Sequence, residues 1–265
     1  MSGAGAITAV VLLEWTVGWV AVSAWAQSWA IVRRGNFRIN AWGALLFGVL
    51  SFLALRSAAD GIPNSTAHRV LDVALIVLVV LLVAHLVVQW SRTDVPGAVL
   101  GYAAGAAGVV ALGATGALVE GWPGALAGLE LVGGTLLLGG VTNGMLLGHW
   151  YLNQPGLKTW ALARITVLTL IASVAAGVLG LVAAGRLINA RTEGALGLPG
   201  SSDSFGWAFF IIWIALVIFT AVIVWAAKRC VDIRSIQSAT GLYYVAILTA
   251  GVAEFLVRYL MLNAT

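Results

Sequence analysis

Eight stretches of this chain, at about 5–32, 40–57, 70–91, 97–119, 123–152, 158–185, 205–228 and 237–262, are apolar for long enough to cross a bilayer. Crossing about 30 Å of hydrocarbon takes roughly 20 helical residues. Inside lipid every backbone N–H and C=O must be satisfied within its own segment or in a closed barrel. These stretches are too long and too evenly apolar for barrel strands. The expected fold is all-α: one polytopic membrane domain over residues 1–265 with eight transmembrane helices. Its first partner is the lipid bilayer.

Composition agrees. Of 265 residues, 61% are hydrophobic and 9% charged, against about 25% charged in a soluble domain. That excludes a soluble globular fold, intrinsic disorder and direct nucleic-acid recognition. The single cysteine, Cys230, excludes an internal disulfide and a CxxCH haem attachment. Ala24-Trp25-Ala26 resembles a leader cleavage site, but no Lys or Arg precedes it and Glu14 interrupts the apolar run. The first stretch therefore reads as a retained helix.

Polar breaks separate the spans, among them Arg33-Arg34-Gly35-Asn36, Asp60-Gly61-Ile62-Pro63-Asn64, Arg92-Thr93-Asp94-Val95-Pro96 and Asn153-Gln154-Pro155-Gly156. Nine of the basic residues fall in or beside the loops after spans 1, 3, 5 and 7, and five on the opposite side. The positive-inside bias then puts both termini outside the cytoplasm of a bacterial inner (plasma) membrane. The longest loop, about 186–204, is expected on the outer side as a small irregular cover.

The halves 1–120 and 121–265 share features consistent with two parallel four-helix repeats. Trp42 and Trp160 open spans 2 and 6, Trp90 and Trp225 close spans 3 and 7, and Glu14 and Glu130 sit at similar depths. Four helices per half would relate the repeats by an axis along the membrane normal. Apolar low-complexity sequence also produces such matches. Gly140, Gly144 and Gly148 recur every four residues, as do Gly101 and Gly105, spacing that lets helices approach closely or leaves room for a flat cofactor or lipid tail.

Ionisable groups inside a membrane are costly and are functional candidates by default. His85 and His149 lie roughly 9–10 Å and 6 Å from the cytoplasmic ends of spans 3 and 5. At that shared depth they could ligate one haem b iron, with Arg92 and Arg164 as cations for the propionates. Against this, His149 belongs to an interfacial His149-Trp150-Tyr151 run, and His85 can hydrogen-bond Gln89 one turn on. Glu14 and Glu130 have no local partner and are candidates for proton handling, or for pairing with a donor on another helix. Glu254 and Arg258, one turn apart, are expected to form an internal ion pair. Trp42, Trp90, Trp150, Trp160 and Trp225 map to one interface as an aromatic belt, some of which could line a quinone or lipid-headgroup site.

Three functions are compatible with these residues. The first is a membrane redox subunit that binds haem b, a quinone or both and passes electrons to partner subunits. The second is a proton-coupled transporter or permease working through Glu14 or Glu130. The third is a non-catalytic anchor or assembly subunit of a larger complex.

Overall fold

The computed structural model describes residues 3–59, 65–90, 94–154, 156–190 and 205–263. Arg92 and the loop residues Gly194 to Asp203 lie outside that set. The described residues form helices α1 (Ala4–Gln27), α2 (Arg34–Ala59), α3 (Thr66–Gln89), α4 (Asp94–Ala117), α5 (Gly124–Asn153), α6 (Trp160–Val182), α7 (Ala184–Ile188), α8 (Phe205–Asp232) and α9 (Ile236–Leu262). All but the five-residue α7 are long and apolar enough to span a membrane.

Span 2 starts earlier than the apolar run suggested. Arg34, Gly35 and Asn36 are not a break but the first turn of α2. Two contacts hold that polar turn helical. Arg34 Nε donates to Asp94 Oδ1 at 2.8 Å in the first turn of α4, and buried Asn40 donates back to the Asn36 carbonyl at 2.8 Å. Other helix boundaries follow local chemistry. Ser65 caps α3 by accepting from the His68 N–H, and the turn into α5 places Gly121 at φ 71°, a conformation that favours glycine.

α3 illustrates how these helices divide inside from outside. Leu71, Leu75, Leu78 and Leu82 form one buried stripe, while Val73, Val80 and Val87 stand exposed on the other face. The exposed face is as apolar as the buried one, the pattern of a helix whose outer solvent is lipid. α8 does the same with Ile211, Ile218, Phe219 and Val222 outward and Trp213, Val217 and Val224 inward.

The helices pack as two rings. In the first half α1 contacts α2, α2 contacts α3, α3 contacts α4, and α4 returns to α1. In the second, α5, α6, α8 and α9 close in the same order. The rings meet along a seam dominated by α1 against α5. The α4–α5 contact across it is mirrored by α9 against α1. Helix neighbours thus follow the same order in the two rings.

Glycine sets the closeness of the seam. A methyl group at Gly18 would lie 1.9 Å from the Thr135 carbonyl oxygen, and one at Gly139 would lie 2.3 Å from Gly18 backbone atoms. The two backbones touch directly, as small residues permit. Hydrogen bonds staple the same seam. Trp15 donates to Thr142 Oγ1 at 2.7 Å, and Asn143 donates to the Trp19 carbonyl at 3.1 Å. In membranes such side-chain bonds contribute about 0.6 kcal/mol each on average.

Candidate functional site

Among the described residues, the buried acidic and basic side chains gather at the end of the bundle that carries both termini. Glu14 of α1, Glu130 of α5, and Glu254 and Arg258 of α9 are all buried there. Counted from their helix ends at 1.5 Å per residue, they lie roughly 6–15 Å deep. Three carboxyls thus surround one guanidinium, drawn from three helices and both halves of the molecule.

The Glu254–Arg258 pair expected from its spacing is formed, with Arg258 Nη2 donating to Glu254 Oε2 at 2.9 Å. Arg258 also reaches across the seam. Its Nε donates to Glu14 Oε2 at 3.1 Å, so Glu14 does have a partner, on the helix farthest from it in sequence. Glu14 Oε1 lies 2.8 Å from Nη2 but off the N–H direction, so it adds ion-pair attraction without a directed hydrogen bond. Nη2 donates as well to the Glu130 backbone carbonyl at 2.9 Å, and Nη1 faces the Met261 sulfur at 3.5 Å. The side chain of Glu130 is different: its Oε1 is buried without a hydrogen-bond partner among the described residues.

Space for this cluster comes from Gly134, one turn beyond Glu130 on the same face of α5. A methyl group there would lie 2.3 Å from Glu254 Oε2 and 2.7 Å from Arg258 Nη2. Gly134 escaped the sequence reading, although its four-residue offset from Glu130 was a usable signal. The remaining glycine stripe serves helix packing. Gly140 faces Thr169, Gly144 faces the Tyr243 ring and Gly148 faces Thr240.

His85 and His149 stand in unlike surroundings. His85 continues the buried leucine stripe of α3. Its Nδ1 is 2.9 Å from the Gly97 carbonyl of α4, and since a carbonyl oxygen only accepts, Nδ1 is the donor. Gln89 Nε2 approaches the ring at 3.4 Å and forms a reciprocal amide pair with Gln27 of α1 at 2.9 Å in each direction. Gly97 and Gly101 admit this network: a methyl group at Gly97 would meet both amides, and one at Gly101 would meet Ala24 and the imidazole.

His149 is exposed on α5. α3 packs on α2 and α4, whereas α5 packs on α1, α4, α6 and α9 and more lightly on α2, so α4 is the main helix between the histidine-bearing ones. A bis-histidine haem needs both imidazoles aimed at one iron. This packing sets one inside a closed amide network and the other on the exterior, so the residues present do not fit that group. Arg164 is likewise exposed, on α6. Its guanidinium lies 4.4 Å from the Trp160 ring centroid and 5.6 Å from that of Trp29.

What the arrangement can do chemically is set by charge. A buried ion pair is tolerated when its charges are matched. Here the acids outnumber the base, and one carboxyl oxygen is unpaired. A surplus carboxylate buried without a counter-charge is costly, and a proton or a cation on it removes that cost. No family model, curated protein or solved structure matches this chain.

Proposed function

We propose that this protein is a proton-coupled membrane transporter in which the Glu14/Glu130/Glu254–Arg258 cluster binds the coupling proton. The observation that carries this reading is the excess of buried acid over base at a seam between two helix rings. Arg258 belongs to the second ring and is tied within it to Glu254 and the Glu130 carbonyl. Glu14 is its partner in the first ring. A proton on Glu14 weakens the tie across the seam while leaving the tie within α9, so protonation state and the relation of the halves are linked. The direct backbone contact of Gly18 with α5 then acts as the pivot for movement between halves, as expected of repeat-built carriers.

Charge movement in proteoliposomes on a solid-supported membrane, after a pH jump with no substrate added, tests this reading. Wild-type protein is expected to give a transient displacement current as protons enter the cluster. Glu14→Gln and Glu130→Gln are each expected to reduce it while eluting as folded protein. Currents from the wild type no larger than those of protein-free liposomes would overturn the proposal.

Electron transfer makes a different prediction. A redox subunit has a haem Soret band in the oxidised protein and a reduced α band lost on His85→Ala. We expect the visible spectrum of protein purified from haem-sufficient cells to be unchanged by His85→Ala and by His149→Ala. A Soret band abolished by both substitutions would restore the redox reading at the expense of transport.

A further inference from the structure

At the bundle end opposite the termini, a groove of about 450 Å³ runs up the outside of α6. It is lined by Trp25, Trp160, Arg164, Val167, Ile171 and Lys228, among others. Its two parts differ in chemistry. Val167 and Ile171 form an apolar cleft that extends about 10 Å along the helix from Arg164. At its mouth stand the two cations and a tryptophan cluster, with Trp25 and Trp29 packed edge to face at 4.6 Å between centroids and Trp29 and Trp160 tilted at 5.3 Å.

The cations are not equivalent. Lys228 is engaged by Asp232, at 2.5 Å. Arg164 has no acidic partner among the described residues; its guanidinium lies against the Trp160 and Trp29 rings instead. Stacking of this kind holds the planar group in one orientation and leaves its N–H edge available. A pre-oriented guanidinium beside an apolar cleft is complementary to an anionic amphiphile.

We infer that this groove is a binding site for an anionic phospholipid, with the phosphate on Arg164 and one acyl chain along Val167 and Ile171. Charge complementarity selects this occupant over a quinone, whose head is neutral, because guanidinium and phosphate form paired, charge-assisted hydrogen bonds. It also distinguishes this groove from the one between α6 and α8, which is walled by residues such as Val174, Val178, Ile214 and Val222 and has no cation. The positive-inside orientation places Arg164 in the cytoplasmic leaflet, where anionic lipids concentrate.

Native mass spectrometry of the detergent-purified full chain, titrated separately with phosphatidylglycerol and phosphatidylcholine, tests the site. Phosphatidylglycerol adducts should exceed phosphatidylcholine adducts, and Arg164→Gln should lower phosphatidylglycerol retention about fivefold, the loss expected for one cation at a lipid surface. Ile171→Trp, which fills the cleft and keeps the cation, should lower it too. Arg69→Gln removes a cation from a groove at the other end of the bundle and should change nothing. Equal retention of the two lipids, equal loss in Arg69→Gln and Arg164→Gln, or preferential retention of an added quinone would each overturn the assignment. All variants alter exposed positions, and size-exclusion profiles matching wild type confirm that the comparison is between folded proteins.

Discussion

Replacing Arg258 by Gln is expected to destabilise the protein by about 3–5 kcal/mol, the cost of removing one partner from a buried ion pair. Native domains are stable by only about 5–15 kcal/mol, so this is a large fraction of the total. The side chain is 2% exposed, and the pair it makes with Glu14 joins α9 to α1. Without it, Glu14 and Glu254 lose their counter-charge in an apolar interior. Thermal melting followed by size-exclusion chromatography should fall by about 6–20 °C, from the usual 2–4 °C per kcal/mol for chains of this size. Arg258→Lys should recover little, because one ammonium cannot replace a fork that reaches Glu14, Glu254 and the Glu130 carbonyl together. The quadruple variant Glu14→Gln, Glu130→Gln, Glu254→Gln, Arg258→Met should recover most of the loss, since no uncompensated charge remains. A single Arg258→Gln variant as stable as wild type would show that the cluster does not lock the rings together.

The second large effect is expected at Gly18. The Cβ of an alanine there would sit 1.9 Å from the Thr135 carbonyl oxygen, with Gly139 N at 2.9 Å. Both neighbours are backbone, so neither can swing aside as a side-chain tip would. α1 and α5 must separate by more than 1 Å to reach ordinary contact, opening the seam and stretching the Trp15–Thr142 and Asn143–Trp19 bonds. Overpacking a tight interior costs about 1–3 kcal/mol, occasionally more. Gly18→Ala should reach the top of that range, and Gly18→Leu should prevent the halves from docking. Gly113→Ala is the control. It adds a methyl group in open space on α4, where removing a helical glycine gains up to about 1 kcal/mol. Equal melting temperatures for Gly18→Ala and Gly113→Ala would contradict the direct backbone contact.

These two sites bear on one mechanism from opposite sides. Arg258 supplies an electrostatic tie across the seam that, in the proposed transport function, depends on the protons held by its carboxyl neighbours. Gly18 supplies a steric contact that does not. A carrier whose halves rock on one contact while another is made and broken needs both kinds. Loss of proton-driven charge movement in Glu14→Gln, with melting kept near wild type, would separate the two roles. Retention of the negative charge in Glu14→Asp should preserve the current more fully.

Particular residues show how much of the site could be read in advance. Glu14, Glu130, Glu254 and Arg258 stand out because a charged residue within a long apolar run is costly and rare. The Glu254–Arg258 pair follows from one-turn spacing. The Glu14–Arg258 pair does not, because 244 residues separate the partners and only the approach of α9 to α1 brings them together. The histidines are the instructive contrast. Equal depth suggested a shared iron, yet depth is one coordinate of three. Both faces of α3 are apolar, so only the structure shows His85 facing inward, and nothing in the chain stated that α4 would stand between α3 and α5.

The number and apolar character of the spans were determined by the sequence alone, because the bilayer imposes one requirement on every segment that crosses it: about 20 residues with no unsatisfied backbone group. That requirement is local, and so it is legible locally. Which helices touch was decided only in the tertiary structure. Lipid is as apolar as leucine, so hydrophobicity does not choose neighbours in a membrane; close fit and paired polar groups do. Fit and pairing are properties of two surfaces at once. Gly18 acquires its meaning from the Thr135 carbonyl, Gly134 from Glu254 and Arg258, and Arg258 from a glutamate at the far end of the chain.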